Sequence, residues 1–171
     1  MKLKCTLLTS TALVAGLGLA CATQAASVST SMDAKIVIQN ACDVTTTAPT
    51  DLDFGTHGVL AAAVNEATAG NISVTCTTGA TYNIGLDAGA NPSTAGDINT
   101  RRMASSGQYV AYQLYSNAGH STAWGNTIGG NTVASTGTGS AQSWPVYGQV
   151  PAQTTPAAGT YTDTVQVTVT Y

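Results

Sequence analysis

Few residues of this sequence carry side chains suited to acid–base or metal chemistry, and their spacing does not assemble a site. The two histidines, His57 and His120, are far apart, and each stands beside Gly or Ser, so we expect both in exposed loops. Asp51 and Asp53 are close enough to pair for proton transfer or to bind a cation. Because Asp53 belongs to the run Leu-Asp-Phe-Gly, a turn or capping role is favoured. We therefore predict no catalytic residue, no metal site and no cofactor.

The other candidates for binding chemistry are a pair of cations and two indoles. Arg101 and Arg102 are adjacent, and we expect them to satisfy nearby acids or carbonyl groups rather than a ligand. Trp124 and Trp144 could stack on a sugar, but anchoring of the core or of a loop is favoured. The sequence contains no phosphate-binding loop and no nucleophile elbow. A chain of net charge −3 also lacks the cations that bind phosphate, which disfavours both an enzyme and a nucleic-acid-binding protein.

The first 26 residues have the pattern of a secretory signal peptide. Two lysines precede an apolar stretch at 7–20, and small residues follow, so that cleavage is expected after Ala25 or Ala26. The stretch is too short for a stable membrane span. A lipoprotein signal cut before Cys21 is an alternative, although the usual aliphatic residue three positions before the cysteine is missing. The pattern predicts export.

Removal of this signal would leave one pair of cysteines, Cys42 and Cys76, with three cations and eight acids. In an exported protein, a single pair most simply forms one disulfide bond. Two free thiols or half of a metal site are the alternatives, though no His or further Cys lies close enough in sequence to suggest a ligand set. A bond closing about 35 residues would contribute about 3–4 kcal/mol in the loop-entropy model.

Hydrophobic residues recur at every second position along much of the remaining chain, which is the period of a half-buried β-strand. Only 8% of the residues are charged, and helical periodicity is missing. The last run is the most regular, with Val165, Val167, Val169 and Tyr171 alternating with polar residues. The earlier runs lie at 28–38, 72–76, 82–86 and 110–114.

About seven short strands predict an all-β fold, specifically a β-sandwich of immunoglobulin type. Turn residues separate the strands, as at Gly55, Gly119 and Gly159. Residues 59–66 are the only stretch that could form a helical turn. The segment 125–143 is rich in Gly, Ser, Thr and Asn and is predicted to be a long surface loop or a hairpin.

Both ends of the strand pattern are unusual for a closed sandwich. The most regular strand, 165–171, is not followed by a closing strand, while an extra strand-like stretch, 27–35, precedes the segment that leads to Cys42. An uncovered edge exposes apolar core and unpaired backbone groups. The spare strand could fold back onto its own domain, or add to a neighbouring subunit by β-augmentation. In a third interpretation, 165–171 is simply an interior strand.

Several runs of residues occur in an order that is familiar from one family and together cover nearly the whole mature chain. The N-terminal run from Met32 to Cys42 has the matching spacing, and the C-terminal run is the most specific: Gly159-x-Tyr161-x-Asp163-x-Val165-x-Val167-x-Val169-x-Tyr171. The others are Leu52-Asp53-Phe54-Gly55, Val74-Thr75-Cys76, Tyr82-x-Ile84-x-Leu86, Arg101-Arg102-Met103, Tyr112-x-Leu114-Tyr115, Trp124-Gly125 and Val146-Tyr147-Gly148-x-Val150-Pro151. With them the chain resembles the spore coat protein U-like family, and within it the major subunits of archaic, Csu-type chaperone–usher pili.

The resemblance implies an incomplete immunoglobulin-like β-sandwich that lacks its last strand and is completed by a donor strand from a neighbouring subunit or a chaperone. Cys42 and Cys76 would form the family disulfide. Residues 27–35 would be the donor strand and 36–171 the pilin domain. The donor side chains would be Val28, Thr30, Met32 and Ala34. The groove, and the strand that meets the chaperone, would be bordered by Val165, Val167, Val169 and Tyr171.

The function implied by the resemblance is that of a structural pilin subunit, which polymerises by donor-strand complementation into a surface pilus used in adhesion and biofilm formation. Its partners would be identical subunits arranged head to tail, a periplasmic chaperone, an outer-membrane usher and tip subunits. The protein would pass through the periplasm to the cell surface. The alternative is a secreted coat protein that does not polymerise, or an adhesive binding module. A tip adhesin of such pili resembles two fused domains, whereas this sequence predicts one.

Overall fold

The computed structural model describes residues 26–44, 49–66 and 68–171. The predicted signal peptide, apart from its last residue, lies outside the described residues. The chain divides into two compact units between Ile36 and Val37. All strands of the described residues lie in the second unit, from Val37 onward.

The second unit is built from short strands, and the described residues contain no α-helix. They contain one 3-10 turn, Ile98–Thr100, which begins after Asp97, whose carboxylate accepts a hydrogen bond from the backbone amide of Asn99. No helix in the described part of the chain is long and apolar enough to cross a membrane. The predicted all-β class is confirmed. The strands are β1 (Cys42–Asp43), β2 (Val64–Asn65), β3 (Gly70–Cys76), β4 (Thr81–Leu86), β5 (Arg102–Ser105), β6 (Gln108–Ala111), β7 (Gln113–Tyr115), β8 (Val133–Thr136), β9 (Ala141–Val150) and β10 (Val167–Thr170).

The strands form two main sheets and a separate hairpin. The larger sheet has the order β1-β3-β9-β2, with β7 also paired to β9, and all of its pairings are antiparallel. The smaller sheet has the order β10-β4-β8 and is antiparallel as well. The consecutive strands β3 and β4 therefore lie in different sheets, and so do β8 and β9. Such crossovers between sheets are typical of a β-sandwich.

The core cluster joins inward-facing residues of both sheets. The alternation of β3 and β4 places their apolar side chains inside, as predicted, and each is 2% exposed or less. Trp124 anchors this core, because its indole donates a hydrogen bond to the backbone carbonyl of Ile84 at 2.9 Å. The core residues contributed by β3 and β4 are Ile72, Val74, Cys76, Tyr82, Ile84 and Leu86.

Arg101 is fully buried, and it satisfies backbone carbonyl groups as the sequence predicted. Its Nε and Nη2 atoms donate to the carbonyl oxygen of Asp87, at 2.8 and 2.5 Å, and Nη2 also donates to the carbonyl oxygen of Trp124 at 3.0 Å. Arg102 likewise donates to two backbone carbonyls, of residues 91 and 92, and its guanidinium lies 4.1 Å from the centre of the Tyr109 ring.

Strands β5 and β6 form a hairpin that closes at Ser106 and Gly107. Both residues have positive φ, 47° and 79°, which is the conformation of a type I′ turn. Glycine adopts it without steric cost, and the turn matches the twist of the two strands. The hairpin brings Met103 opposite Val110, and both side chains pack against the core.

Two predictions of local structure are wrong, and the donor strand stays a prediction. Residues 59–66 form no helical turn, since Val64–Asn65 pairs with β9 as the short strand β2. The segment 125–143 is neither a continuous loop nor a hairpin, because it contains β8 and the start of β9, which pair with different sheets. The alternating run 28–38 forms no strand in this structure. A period-two pattern gives a strand only where another strand supplies hydrogen-bonding partners for its backbone.

Candidate strand-binding groove

A groove of about 1050 Å³ lies in the second unit between two segments of the chain. We call residues 49–58 the first wall and residues 155–167 the second wall. The floor between them is formed mainly by buried, apolar core residues. These are Ile72, Leu86, Val110, Tyr112, Leu114, Val146 and Val150, with the half-buried Met103 beside them.

The first wall pairs with β3 and with the residues just before it, through isolated β-bridges of Thr50 with Asn71 and of Asp53 with Thr68. Leu52 and Phe54 of this wall line the groove and pack against the core. Gly148 of β9 lies directly against them, since a Cβ atom there would come within 2.8 Å of Phe54 and 2.9 Å of Leu52. Asp53 takes the predicted turn role: its carboxylate accepts a hydrogen bond from the backbone amide of Gly55 at 2.8 Å. Glycine at position 148 thus allows the wall to pack closely on β9.

The second wall has few backbone attachments before β10 begins at Val167. Thr162 pairs with Ala104 of β5 through two backbone hydrogen bonds, of 2.9 and 3.2 Å. Further along, the backbone amide of Gln166 donates to the carboxylate of Asp87 at 2.9 Å. Exposure alternates along 161–170, with one set of side chains half-buried and the other exposed. One face of this segment therefore turns inward, although none of the strands in the described part of the chain covers it from the groove side.

Strand β10 is an edge strand beside the groove. It pairs with β4 over residues 167–170, and within the described residues its other edge pairs with no strand. Edge strands of natural proteins are usually covered or otherwise protected, because their free N–H and C=O groups can pair with another chain. An open edge next to an apolar groove is the geometry that accepts an added strand.

The structure brings two of the four predicted groove residues to the groove. Val165 and Val167 line it. Val169 lies opposite Ile84 in the β10–β4 pairing; it packs against the core, as Val165 and Val167 also do, but it does not line the groove. Tyr171 follows the last residue of β10 and is 62% exposed.

The predicted donor side chains lie in the first unit, whose described residues are 26–36. None of these residues forms a strand, and all are exposed. Val28 is 97% exposed and Met32 is 91% exposed. Thr30 and Ala34 complete the alternate set of four. The segment therefore presents apolar side chains at the spacing of one face of a β-strand.

The disulfide bond joins Cys42 of β1 to Cys76 at the end of β3. The two residues are directly opposite each other in the β1–β3 pairing, and their Cα atoms are 4.1 Å apart. The bond links positions 34 residues apart in sequence. It fixes β1 to the edge of the larger sheet.

His120 is not the exposed loop residue that the sequence predicted. Its ring is 2.8 Å from the carboxylate of Glu66, and each side chain is 11% exposed. Glu66 also accepts a hydrogen bond from the backbone amide of Gly148 at 2.9 Å. Burial alone would raise the pKa of Glu66, but the hydrogen bonds from His120 and Gly148 hold this pKa below its ordinary value. The rings of Tyr115 and Tyr147 pack edge-on against the imidazole.

The remaining candidates from the sequence do not assemble a chemical site. His57 lies in the first wall, where its ring contacts the carbonyl oxygen of Phe54 at 2.7 Å. Trp144 is half-buried and donates a hydrogen bond to the hydroxyl of Tyr82 at 3.2 Å, as expected of an anchoring residue. Within the described residues, no group of three or more His, Cys, Asp and Glu side chains could hold a metal ion.

Two residues without a predicted role, Tyr112 and Asp163, meet at the groove. The hydroxyl of Tyr112 donates a hydrogen bond to the Asp163 carboxylate at 2.7 Å. Both positions belong to runs that resemble the spore coat protein U-like family, which was their only signal in the sequence. Their separation of 51 residues leaves no local pattern that would pair them.

The open edge and the apolar groove define this fold as an incomplete immunoglobulin-like β-sandwich, one strand short of closure. Residues 28–168 match the model of the family described as Spore Coat Protein U domain. The chain is also 38% identical over 129 residues to Protein U of Myxococcus xanthus. The matched residues make up 70% of this chain and 71% of Protein U. The chain therefore belongs to the spore coat protein U family. Proteins of this family are structural coat and pilus subunits, and the family is not known for enzymatic activity.

A solved structure supports the same fold. It is the crystal structure of the CsuC–CsuE chaperone–tip adhesion subunit pre-assembly complex, from the archaic chaperone–usher Csu pili of Acinetobacter baumannii. One chain of it matches with a TM-score of 0.54 and 23% sequence identity, over 78% of this chain. This chain spans 40% of the length of that solved chain.

Proposed function

We propose that this protein is a structural pilin subunit that polymerises head to tail by donor-strand complementation into an archaic chaperone–usher pilus. One observation carries the proposal. The same chain has an apolar groove beside an unpaired strand edge, and a separate N-terminal segment whose apolar side chains are exposed at β spacing. The segment of one subunit would supply the missing strand, and the groove of another would cover the apolar side chains that the segment exposes.

In the proposed polymer, residues 27–35 of one subunit lie in the groove of the next. The donated backbone pairs with β10, and Val28, Thr30, Met32 and Ala34 face the groove floor. Burial of Val28 and Met32 would contribute about 1.5–3 kcal/mol each, and Thr30 and Ala34 would contribute less. Because the donor and acceptor surfaces differ, the contact is heterologous and does not close, so that it generates a filament.

Before assembly, the open groove requires a temporary cover. A periplasmic chaperone would supply it with a strand of its own, which pairs along the segment that carries Val165, Val167, Val169 and Tyr171. An outer-membrane usher would then exchange the chaperone strand for the donor strand of the next subunit, and tip subunits would end the fibre. The likeness in fold to a chain of a chaperone–tip-subunit pre-assembly complex supports a chaperone as one of these partners.

The location that follows from this proposal is the cell surface, reached through the periplasm. The N-terminal signal pattern and the disulfide between Cys42 and Cys76 support export, because such bonds persist in oxidising compartments. The fibre would serve attachment to surfaces and biofilm formation. Its persistence would depend on slow unfolding of the completed sandwich more than on the free energy of one contact.

Gel electrophoresis of the sheared cell-surface fraction, without heating, tests the proposal. The intact protein should give an SDS-resistant ladder that collapses to monomer on heating. A variant that lacks residues 27–35 should give no ladder, although its groove is intact. A single monomer band from both proteins would contradict polymerisation by donor-strand complementation.

A second candidate function is that of a secreted coat protein that does not polymerise, or of an adhesive binding module. The 38% identity to Protein U of Myxococcus xanthus favours the coat protein as the second candidate. In that case residues 27–35 would cover the groove of their own domain. Size-exclusion chromatography of the exported protein would then show a monomer at all concentrations.

A further inference from the structure

Tyr112 spans the groove floor from one wall to the other. Its ring packs edge-to-face with Phe54 of the first wall, with ring centres 6.2 Å apart at an angle of 65°. Its hydroxyl donates to the carboxylate of Asp163 in the second wall at 2.7 Å. All three residues line the groove. Tyr112 is 5% exposed and lies between β6 and β7, so the floor fixes its position.

The carboxylate of Asp163 is held at several points. One oxygen accepts hydrogen bonds from the backbone amide of Ala90 and the side-chain amide of Asn91, both at 3.0 Å, while the other accepts from Tyr112. Gly89 packs so closely on this carboxylate that there is no room for a Cβ atom, and its φ of +78° also favours glycine. One side chain therefore ties the second wall both to the loop after β4 and to the groove floor.

In the Tyr112–Asp163 hydrogen bond the phenol is the donor, because the oxygens of a carboxylate can only accept. Burial raises the pKa of Tyr112 well above its ordinary value, and the neighbouring Asp163 raises it further. The hydroxyl therefore stays protonated and acts as donor to the carboxylate. A hydrogen bond to a charged acceptor is among the stronger ones in proteins.

The backbone alone holds this part of the second wall weakly. Between the bridge at Thr162 and the first ladder residue, Val167, the wall crosses four residues, and Asp163 is the first of them. Within this stretch the described attachments are the side-chain contacts of Asp163 and two bonds between Gln166 and Asp87: the Gln166 amide donates to the carboxylate, and the Gln166 carbonyl oxygen accepts from the Asp87 amide at 3.1 Å. Val165, which lines the groove, is therefore held between the Asp163 contacts on one side and the Gln166 contacts on the other.

We infer that Tyr112 and Asp163 form a latch that sets the distance between the two walls and so determines how tightly the groove holds an inserted strand. The inference rests on the proposed function, since the occupant is the donor segment of a second copy of this chain. Tyr112 and Asp163 are positioning residues: they act on the occupant through the walls. The ring of Tyr112 supplies the floor, and its hydroxyl keeps the second wall in place.

The test is the release of a fluorescently labelled synthetic peptide, residues 26–38, from the mature protein, measured by fluorescence anisotropy after addition of unlabelled peptide. Tyr112→Phe keeps the ring and removes only the hydroxyl, and we expect it to release the peptide about tenfold faster. Tyr82→Phe is the matched control. It removes another buried phenol hydroxyl, which accepts a hydrogen bond from Trp144 and does not line the groove, and its release rate should change less than twofold.

A second measurement separates failure of the latch from failure of the proposed function. Hydrogen–deuterium exchange of the backbone amides in 155–166 should be faster in Tyr112→Phe than in the unmodified protein, and unchanged in Tyr82→Phe. If the peptide does not bind at all, the proposed function fails, while the exchange rates still test the latch. Equal exchange or equal release in the two variants would overturn the inference, because the Tyr112 hydroxyl would then have only a general structural role.

Discussion

The guanidinium of Arg101 donates two hydrogen bonds to the backbone carbonyl of Asp87, which is the residue that follows β4. The carboxylate of Asp87 also accepts a hydrogen bond from the backbone amide of Gln166. The buried guanidinium therefore lies next to the point where β4 meets the second wall. Arg101 thus joins the core to the edge of the groove. Its side chain is fully buried, and two further carbonyls, of Leu86 and Trp124, depend on it.

Replacement of Arg101 should be among the most damaging changes to the domain. Arg101→Met retains much of the side-chain volume but leaves three buried carbonyl groups without their donor, and we expect a loss of about 3 kcal/mol or more. Urea unfolding measures it. Arg102→Met is the control, because the Arg102 side chain is only half-buried. Its replacement should lower the free energy of unfolding by about 1 kcal/mol. Equal losses for the two variants would contradict the structural role given to Arg101.

The two faces of the N-terminal segment should respond differently to a charge. Met32→Asp would place a carboxylate on the groove floor of the next subunit, whereas Ser31→Asp places it on the opposite face of the donated strand. Both positions are exposed in the subunit, so neither change should alter its urea midpoint. The SDS-resistant ladder should vanish for Met32→Asp and persist for Ser31→Asp. Loss of the SDS-resistant gel ladder in both variants would show that the alternation of side chains along the segment does not determine which face of the donated strand enters the groove.

Acid should weaken the contact between Glu66 and His120. Because the folded-state pKa of Glu66 lies below its ordinary value of 4.5, the carboxylate contributes stability that is fully present above about pH 4.5 and is lost as the pH falls through the folded-state pKa. Glu66→Gln should cost about 1 kcal/mol at pH 7 and should reduce the further loss in acid. Urea unfolding from pH 3 to 7 checks this. Parallel profiles for Glu66→Gln and the unmodified protein would refute the expectation.

Loss of the disulfide should reduce the free energy of unfolding by about 3–4 kcal/mol, since the bond spans 34 residues. Replacement of both Cys42 and Cys76 by serine avoids a lone buried thiol. Urea unfolding with and without a reducing agent provides the comparison. The reducing agent should lower the midpoint of the unmodified protein and leave that of the double variant unchanged. A double variant as stable as the oxidised protein would contradict the expectation.

Local patterns predicted β3 and β4, because the runs 72–76 and 82–86 alternate strongly. The inward residues of β3 and β4 are those that the period of two indicates, because side chains on a strand point to opposite faces. The prediction for 125–143 was wrong because the Gly and Ser residues of this segment are typical of a loop, whereas residues 133–136 pair with β4 as a strand. The burial of His120 was missed for a similar reason, since its partner Glu66 is 54 residues away.

The all-β class, the turn at Asp53 and the apolar spacing of the N-terminal segment follow from local sequence, because each depends on residues that are near one another along the chain. The groove between the walls at 49–58 and 155–167, and the contacts of Tyr112 with both of them, arise from the packing of distant segments and could not be predicted locally. The tertiary structure likewise distinguishes Val165 and Val167, which line this groove, from Val169, which does not, although all three pack against the core. The physical reason is that side chains of one strand face are equivalent in sequence, and only the packing of distant segments distinguishes which of them stay uncovered.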